Sequence, residues 1–359
     1  MTERAIPQYR VVSPFTPLVG AGMPGPFPGQ VVNAQSPRLV NEATDTVDAG
    51  LVREAMDRGM RTLTGEKTTL AAWQRFFTKD DIVGIKVNVV GRPKIVSTPE
   101  VLNEIIRNLT AVGVPLKNIT LYDRFTDQMH ECDYPKFLPA GVKYFGAESK
   151  RGANLAYDPE VYLETDFYGE DDTRSNLMRC VARQFTKIIS VPNMKDHGAA
   201  GVTGCLKNVA YGSYSNVARS HAHQTSNTYS FIGKLAAAEP LRSKVVLQVM
   251  DGLRGVWHGG PFNFANKYRF YPKQIWLGTD PVAMDRLLVD VIEAERKKHG
   301  VISLWDRDRK YLHRAGGRTF AEDANVNNFI REPGHVDFAA TLGLGVADLQ
   351  KIQVKRIDL

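Results

Sequence analysis

The chain has 359 residues, 43% hydrophobic and 24% charged, the balance of a folded globular protein rather than a disordered or fibrous one. Its formal net charge of +7 suits acidic small molecules, an anionic surface or nucleic acid, but the basic residues are scattered without a nucleic-acid motif, so nucleic acid is set aside. Three cysteines without a CxxC pair exclude an iron–sulfur cluster, a thiolate zinc site and a disulfide framework, and no run of about eighteen apolar residues is present to span a membrane.

Residues 1–48 are rich in Pro and Gly, with GAGMPGPFPGQVV at their centre. They predict an extended arm ending in a short strand at 30–32, from which a homo-oligomer contact would be made. Residues 49–359 are expected to form a single α/β domain. Helical patterns occupy 49–63 and 68–77. DIVGIKVNVV, residues 81–90, is a β-branched run of the kind buried in a parallel sheet.

Thr98, Pro99 and Glu100 then supply an N-cap, a proline at the first helical position and an acid in the first turn. Val101, Ile105, Ile106, Leu109 and Val112 continue at helical spacing up to Gly113. NITLYD is the next strand, which completes a βαβ unit with a right-handed parallel crossover. Residues 148–180 are polar, acidic and weakly patterned, and read as an insertion or covering loop.

Strands resume with TKIISVPN, KVVLQVMDG and QIWLGTD. Asp280 and Pro281 open a helix whose apolar face is Met284, Leu287, Leu288, Val291 and Ile292. Residues 301–359 have a mixed pattern and are expected to pack around the edge. The alternation predicts an α/β fold: a mixed, largely parallel sheet of five or more strands flanked by helices.

The stretch IISVPNMKDHGAAGVTGCLKNVAY, residues 188–211, holds the densest chemistry. A strand ends at Pro192, and a glycine-rich loop presents Lys195, Asp196 and His197. Thr203, Lys207 and Asn208 follow. Strand-end loops are where α/β proteins place ligands, and two lysines beside freed backbone N–H groups favour an anion. His197 is the expected general acid–base, because imidazole titrates near neutrality, and Lys195 and Lys207 would neutralise developing charge. Either lysine would instead be a nucleophile if burial lowered its pKa.

Lys86 and Asn88 are polar insertions two apart in an apolar strand, so they share a face. Lys86 requires an anionic partner such as Asp123, as a structural ion pair or a ligand contact. Asp251 is a strand-end acid without an evident capping duty, whereas Asp280 reads as a cap. His221, His223 and His258 crowd into the stretch that begins at His197. They are either metal ligands for a divalent ion or loop histidines with local hydrogen bonds. His130 and Cys132 offer weaker alternatives, as ligands to a metal or as a Cys132 nucleophile beside His130.

GIKVN followed by TPEVL, the YDR strand end, VPNMKDH and VTGCLKN, the later MDGL and GTDPVAMD together resemble the domain-of-unknown-function 362 family. PGPFPGQVV, LTGEKTTLAAWQRFF and VGIKVN are similar to its exported, single-domain members, many of which carry a twin-arginine signal. The likeness runs over residues 24–312. No general activity attaches to the family. Its relatives with ferredoxin-type cysteines are described as iron–sulfur proteins, and that cofactor does not carry over to a chain lacking those cysteines. The resemblance implies shared functional roles for Lys195, His197, Thr203, Lys207 and Asn208, with Lys86, Asn88, Asp251 and Asp280 behind them.

Two functions follow. One is an enzyme acting on a small carboxylate-bearing substrate by metal-assisted redox or isomerase chemistry. In it Lys86, Asn88, Thr203, Asn208, Asp123 and Asp251 bind, and His197, Lys195 and Lys207 react. The other is a non-catalytic ligand-binding or assembly protein. Taken as written, MTERAIPQYR is too polar for a signal peptide and implies a cytoplasmic protein. The family resemblance implies an exported, periplasmic one if a leader has been removed.

Overall fold

The computed structural model describes residues 6–18, 20–148, 156–221 and 227–359. Among them, an eleven-stranded mixed sheet carries helices on both faces. Five neighbouring strands are parallel, in the order Val245–Val256, Lys187–Ser190, Val83–Lys86, Ile119–Phe125 and Lys143–Glu148. Gln274–Gly278 joins antiparallel to Val245–Val256, and Gln30–Gln35 antiparallel to Gln274–Gly278. Gln353–Asp358 closes that edge parallel to Gln30–Gln35. The fold is thus the mixed, largely parallel α/β sheet that the strand–helix alternation predicts.

Period-two alternation sorts the strand side chains into two cores. Ile85, Leu121, Ile189 and Val249 pack with Val52, Met56, Ile105 and Leu109 from the helices Ala49–Thr64 and Pro99–Val112. Tyr122, Ile188 and Met250 pack with Leu206, Val209, Met284 and Leu288 on the other face. Both faces are buried, which is why the parallel strands read as continuous apolar runs. Each fully buried Ile or Leu stabilises the fold by about 1.5–3 kcal/mol.

The helix ends follow local chemistry. Asp48 accepts from the Leu51 N–H at 3.0 Å, and Gly65 closes that helix in the left-handed region. Pro99 opens the next helix and Gly113, at φ 104°, ends it.

Three segments differ from the expectation. The N-terminal strand is Gln30–Gln35, longer than the short strand expected at 30–32, and it lies inside the chain's own sheet with Val31, Val32 and Ala34 buried. The acidic stretch forms two strands, Tyr157–Glu164 and Arg174–Met178, to which Arg10–Val12 adds a third. Its acids are ordered by arginines, Glu164 by Arg10 and Asp158 by Arg183, a pairing too distant in sequence for periodicity to reveal. The C-terminal segment supplies a sheet strand and, at 320–329, residues that line a cavity. Among the described residues no helix is long and apolar enough to cross a membrane.

Candidate functional site

The site forms where the parallel strands end. After Lys187–Ser190 the chain passes Pro192 and resumes as Asn193–His197, paired with the far half of Val245–Val256. A tight turn follows, Gly201–Val202 pairs back on Asp196 and His197, and the helix Gly204–Tyr211 lies across the sheet.

Two glycines set that helix. Gly204 sits at φ +56°, and a Cβ there would lie 2.1 Å from Asp285 Oδ1. The close approach lets the Asp285 carboxylate accept from the Cys205 N–H at 2.5 Å and the Leu206 N–H at 2.9 Å, capping the helix start from a distant helix. At the other end, a Cβ on Gly212 would lie 1.9 Å from Lys86 Cε. The helix is held between a carboxylate and an ammonium.

Beneath it lies a buried polar lattice. Lys86 Nζ donates to Asp123 Oδ1 at 3.0 Å, to the Val87 carbonyl at 2.5 Å and to Asn208 Oδ1 at 3.3 Å. Asn88 Nδ2 donates to the same Asn208 oxygen, and Asn88 Oδ1 accepts from Lys195 Nζ at 2.6 Å. Lys195 also reaches the Ile95 carbonyl at 3.3 Å. Asn208 Nδ2 returns the connection to Ser190 Oγ and the Lys86 carbonyl. Thr203 Oγ1 rests on the Asp196 carbonyl at 3.4 Å.

Lys207 stands apart from this lattice. Its Nζ lies 4.4 Å from the centroid of the Tyr211 ring and has no hydrogen-bond or ion-pair partner among the described residues. Burial pushes Lys195 and Lys207 down to about 7, and each is lowered further by neighbouring cations and partly restored by Asp123. Both ammonium groups are in the same range, but among the described residues only Lys195 has oxygen acceptors.

His197 is pinned as a neutral ring. Its Nδ1 accepts from the Ala199 and Ala200 N–H groups, both at 3.0 Å, so the proton sits on Nε2. Burial, then Lys207 and His221, holds its pKa well below the usual histidine value. A neutral N–H is a hydrogen-bond donor toward an oxyanion, and its second nitrogen is already spent.

Lys86, Asn88, Asp123, His197, Thr203, Lys207 and Asn208 all border one cavity of about 470 Å³. Arg124, whose guanidinium is held by Glu148 at 2.8 Å and lies over the Phe125 ring, borders it as well. So do Tyr211, Phe262, Phe264, Phe320 and Phe329. The sequence left a signal for Arg124, in YDR, and for Tyr211, one helical turn beyond Lys207. It left none for phenylalanines contributed by loops.

The family described as Domain of unknown function (DUF362) matches residues 83–290, more than half of the chain. The chain belongs to this family. No curated protein and no solved structure matches it. The span shared with the DUF362 family contains the whole polar lattice, while Phe320 and Phe329 lie outside it.

Other expected residues lie elsewhere. Asp251 does not border the cavity. It accepts from the Thr98 N–H at 2.7 Å and the Leu253 N–H at 3.1 Å, a buried cap for the helix Pro99–Val112. Asp280 caps its own helix at Ala283 and also holds the Gly29 and Val346 N–H groups.

His258 is removed from the histidine cluster. Nε2 meets the Phe320 carbonyl at 2.8 Å, while guanidinium nitrogens of Arg296 and Arg331 each approach Nδ1 at 3.3 Å. Two fixed cations on the remaining lone pair leave no place for a metal ion. His221 packs 5.3 Å from His197, centroid to centroid, within the cavity wall. His223 lies outside the described residues. Among the described residues no group of three or more His, Cys, Asp or Glu side chains is placed to hold a metal ion. Burial pushes the Cys132 thiol up to about 12, opposite to what a nucleophile needs.

Proposed function

We propose that the protein is an enzyme catalysing proton transfer, of the isomerase kind, on a small carboxylate-bearing substrate in this cavity. The observation that carries the reading is Lys207: a buried amine at the cavity, without an oxygen acceptor among the described residues and lowered by burial, beside a neutral imidazole N–H. Of the two chemistries expected from the sequence, isomerisation is what these groups support. A carbon acid next to a carbonyl needs a base of near-neutral pKa and a donor for the oxygen that gains charge. Lys207 takes the first role and His197 Nε2–H the second. Arg124 holds the carboxylate, and the Lys86–Asp123 pair, with Lys195 bonded behind Asn88, fixes the floor.

The test is deuterium wash-in. Small 2-oxo and β,γ-unsaturated carboxylates are incubated with the protein in D2O and followed by proton NMR. Loss of a signal next to the carbonyl, slowed by at least about 100-fold in Lys207→Met, is the expected outcome. A second reading, a non-catalytic receptor, draws on the saturated lattice around Asn208, which is built to be rigid. Binding of these carboxylates with no exchange in any of them would select that reading.

A further inference from the structure

The aromatic side of the cavity has no explanation in folding. Phe262 and Phe264 are 45% and 55% exposed and belong to none of the buried cores. Their rings lie 5.1 Å apart, and Phe264 meets Phe320 edge-on at 5.2 Å. Phe125 and Phe329 border the same space. Large exposed rings gathered at one cavity mark a binding surface, because water contact with them is unfavourable until something covers them.

The wall is also held in place. The Gly260 N–H donates to Asp196 Oδ1 at 2.6 Å, and a Cβ on Gly260 would lie 2.1 Å from the Asp196 carbonyl oxygen, so the loop carrying Phe262 and Phe264 sits directly on the strand that carries His197. Asn327 Nδ2 bridges the Gly198 and Phe329 carbonyls, which ties Phe329 to the same turn.

Resting on the anionic-substrate reading above, we infer that the substrate is an aromatic carboxylate. Its carboxylate meets the Arg124 guanidinium, which leaves Lys207 as the base, and its ring lies among the phenylalanines. A cavity of about 470 Å³ is the size that holds a molecule of one or two rings. Phenylalanine against a ring gains offset-stacked or edge contacts that an alkyl chain does not make. A short aliphatic acid would satisfy the floor and leave the aromatic wall wet.

The experiment is calorimetric titration of the full chain with benzoate, acetate and benzamide, in wild type and in Phe262→Ala/Phe264→Ala. Benzoate should bind at least about tenfold more tightly than acetate and benzamide. In the double variant the preference over acetate should shrink toward unity while acetate affinity stays unchanged. Equal binding of benzoate and acetate, both above benzamide, overturns the aromatic inference and keeps the anion reading. Equal binding of benzoate and benzamide keeps the aromatic wall and defeats the anion reading. Binding of none of the three overturns both. A preference for benzoate over acetate that survives intact in the double variant also overturns the assignment to this wall. The wild-type comparison decides the ligand class even if the variant loses its fold.

Discussion

A buried ammonium is a stability cost, and Lys207 carries it without the oxygen acceptors that offset it at Lys195. Among the described residues Lys195 has its Asn88 and Ile95 oxygens, whereas Lys207 has only the face of Tyr211. The two should respond oppositely to removal of charge. Lys207→Met keeps the aliphatic stem on Tyr211 and deletes an unpaired cation, so it should raise unfolding free energy by about 1–2 kcal/mol. Lys195→Met strands two buried acceptors and should lower it by about 1–3 kcal/mol. Urea denaturation of the three proteins at pH 7 checks this. If both variants lose stability alike, Lys207 has a structural partner and its functional role falls. A residue retained against its own stability cost is the signature of a group kept for chemistry.

The helix Gly204–Tyr211 has eight residues, too few to hold itself in water, so its position depends on what grips it. Asp285 grips its start, and Lys207, Asn208 and Tyr211 ride on the turns that follow. Asp285→Ala should cost about 2–3 kcal/mol in thermal unfolding and weaken benzoate binding at the same time, since the cap and the cradle are one unit. Loss of stability with unchanged affinity would separate them.

This element also shows where sequence reading stops. The unit from Val83 to Phe125 is legible because its signals are local: a β-branched run, then Thr98, Pro99 and Glu100, then Gly113. The alternation that puts Lys86 and Asn88 on one face predicts that they share a partner, and both reach Asn208. The cap on Gly204–Tyr211 comes from a residue some eighty positions later, which no spacing rule sees. Asp251 is the converse case. A strand-end acid looks available until its acceptor lone pairs are traced to the Thr98 and Leu253 backbone, a contact that exists only in three dimensions.

At the scale of the whole molecule, the phenylalanines that close the cavity come from segments far apart in the chain, so the aromatic wall is a product of topology and left no pattern to read. The same folding event buries several ionisable groups together, and their sum sets how stability varies with pH. A lysine whose pKa is lower in the folded state, about 7 for Lys195 and Lys207 against an ordinary 10.5, holds its proton better when unfolded. Unfolding then takes up protons between these values, so stability rises with pH across that window, and the cost is fully present below about pH 7. Lys244, down to about 8 through burial, adds to the rise. Asp285, pushed up to about 7 by burial, opposes it near neutrality. Cys132 and Cys180, pushed up to about 12, oppose it once free thiols ionise above pH 8.5 or so.

The clean interval is therefore pH 7 to 8.5, and the clean quantity is the difference between wild type and Lys207→Met, in which every other group cancels. Wild type should gain about 1–2 kcal/mol more than the variant over that interval. Urea titrations of both proteins at the two pH values measure all four corners. A difference of zero would mean that Lys207 is already neutral or already paired throughout, and it would remove the amine on which the proposed chemistry depends.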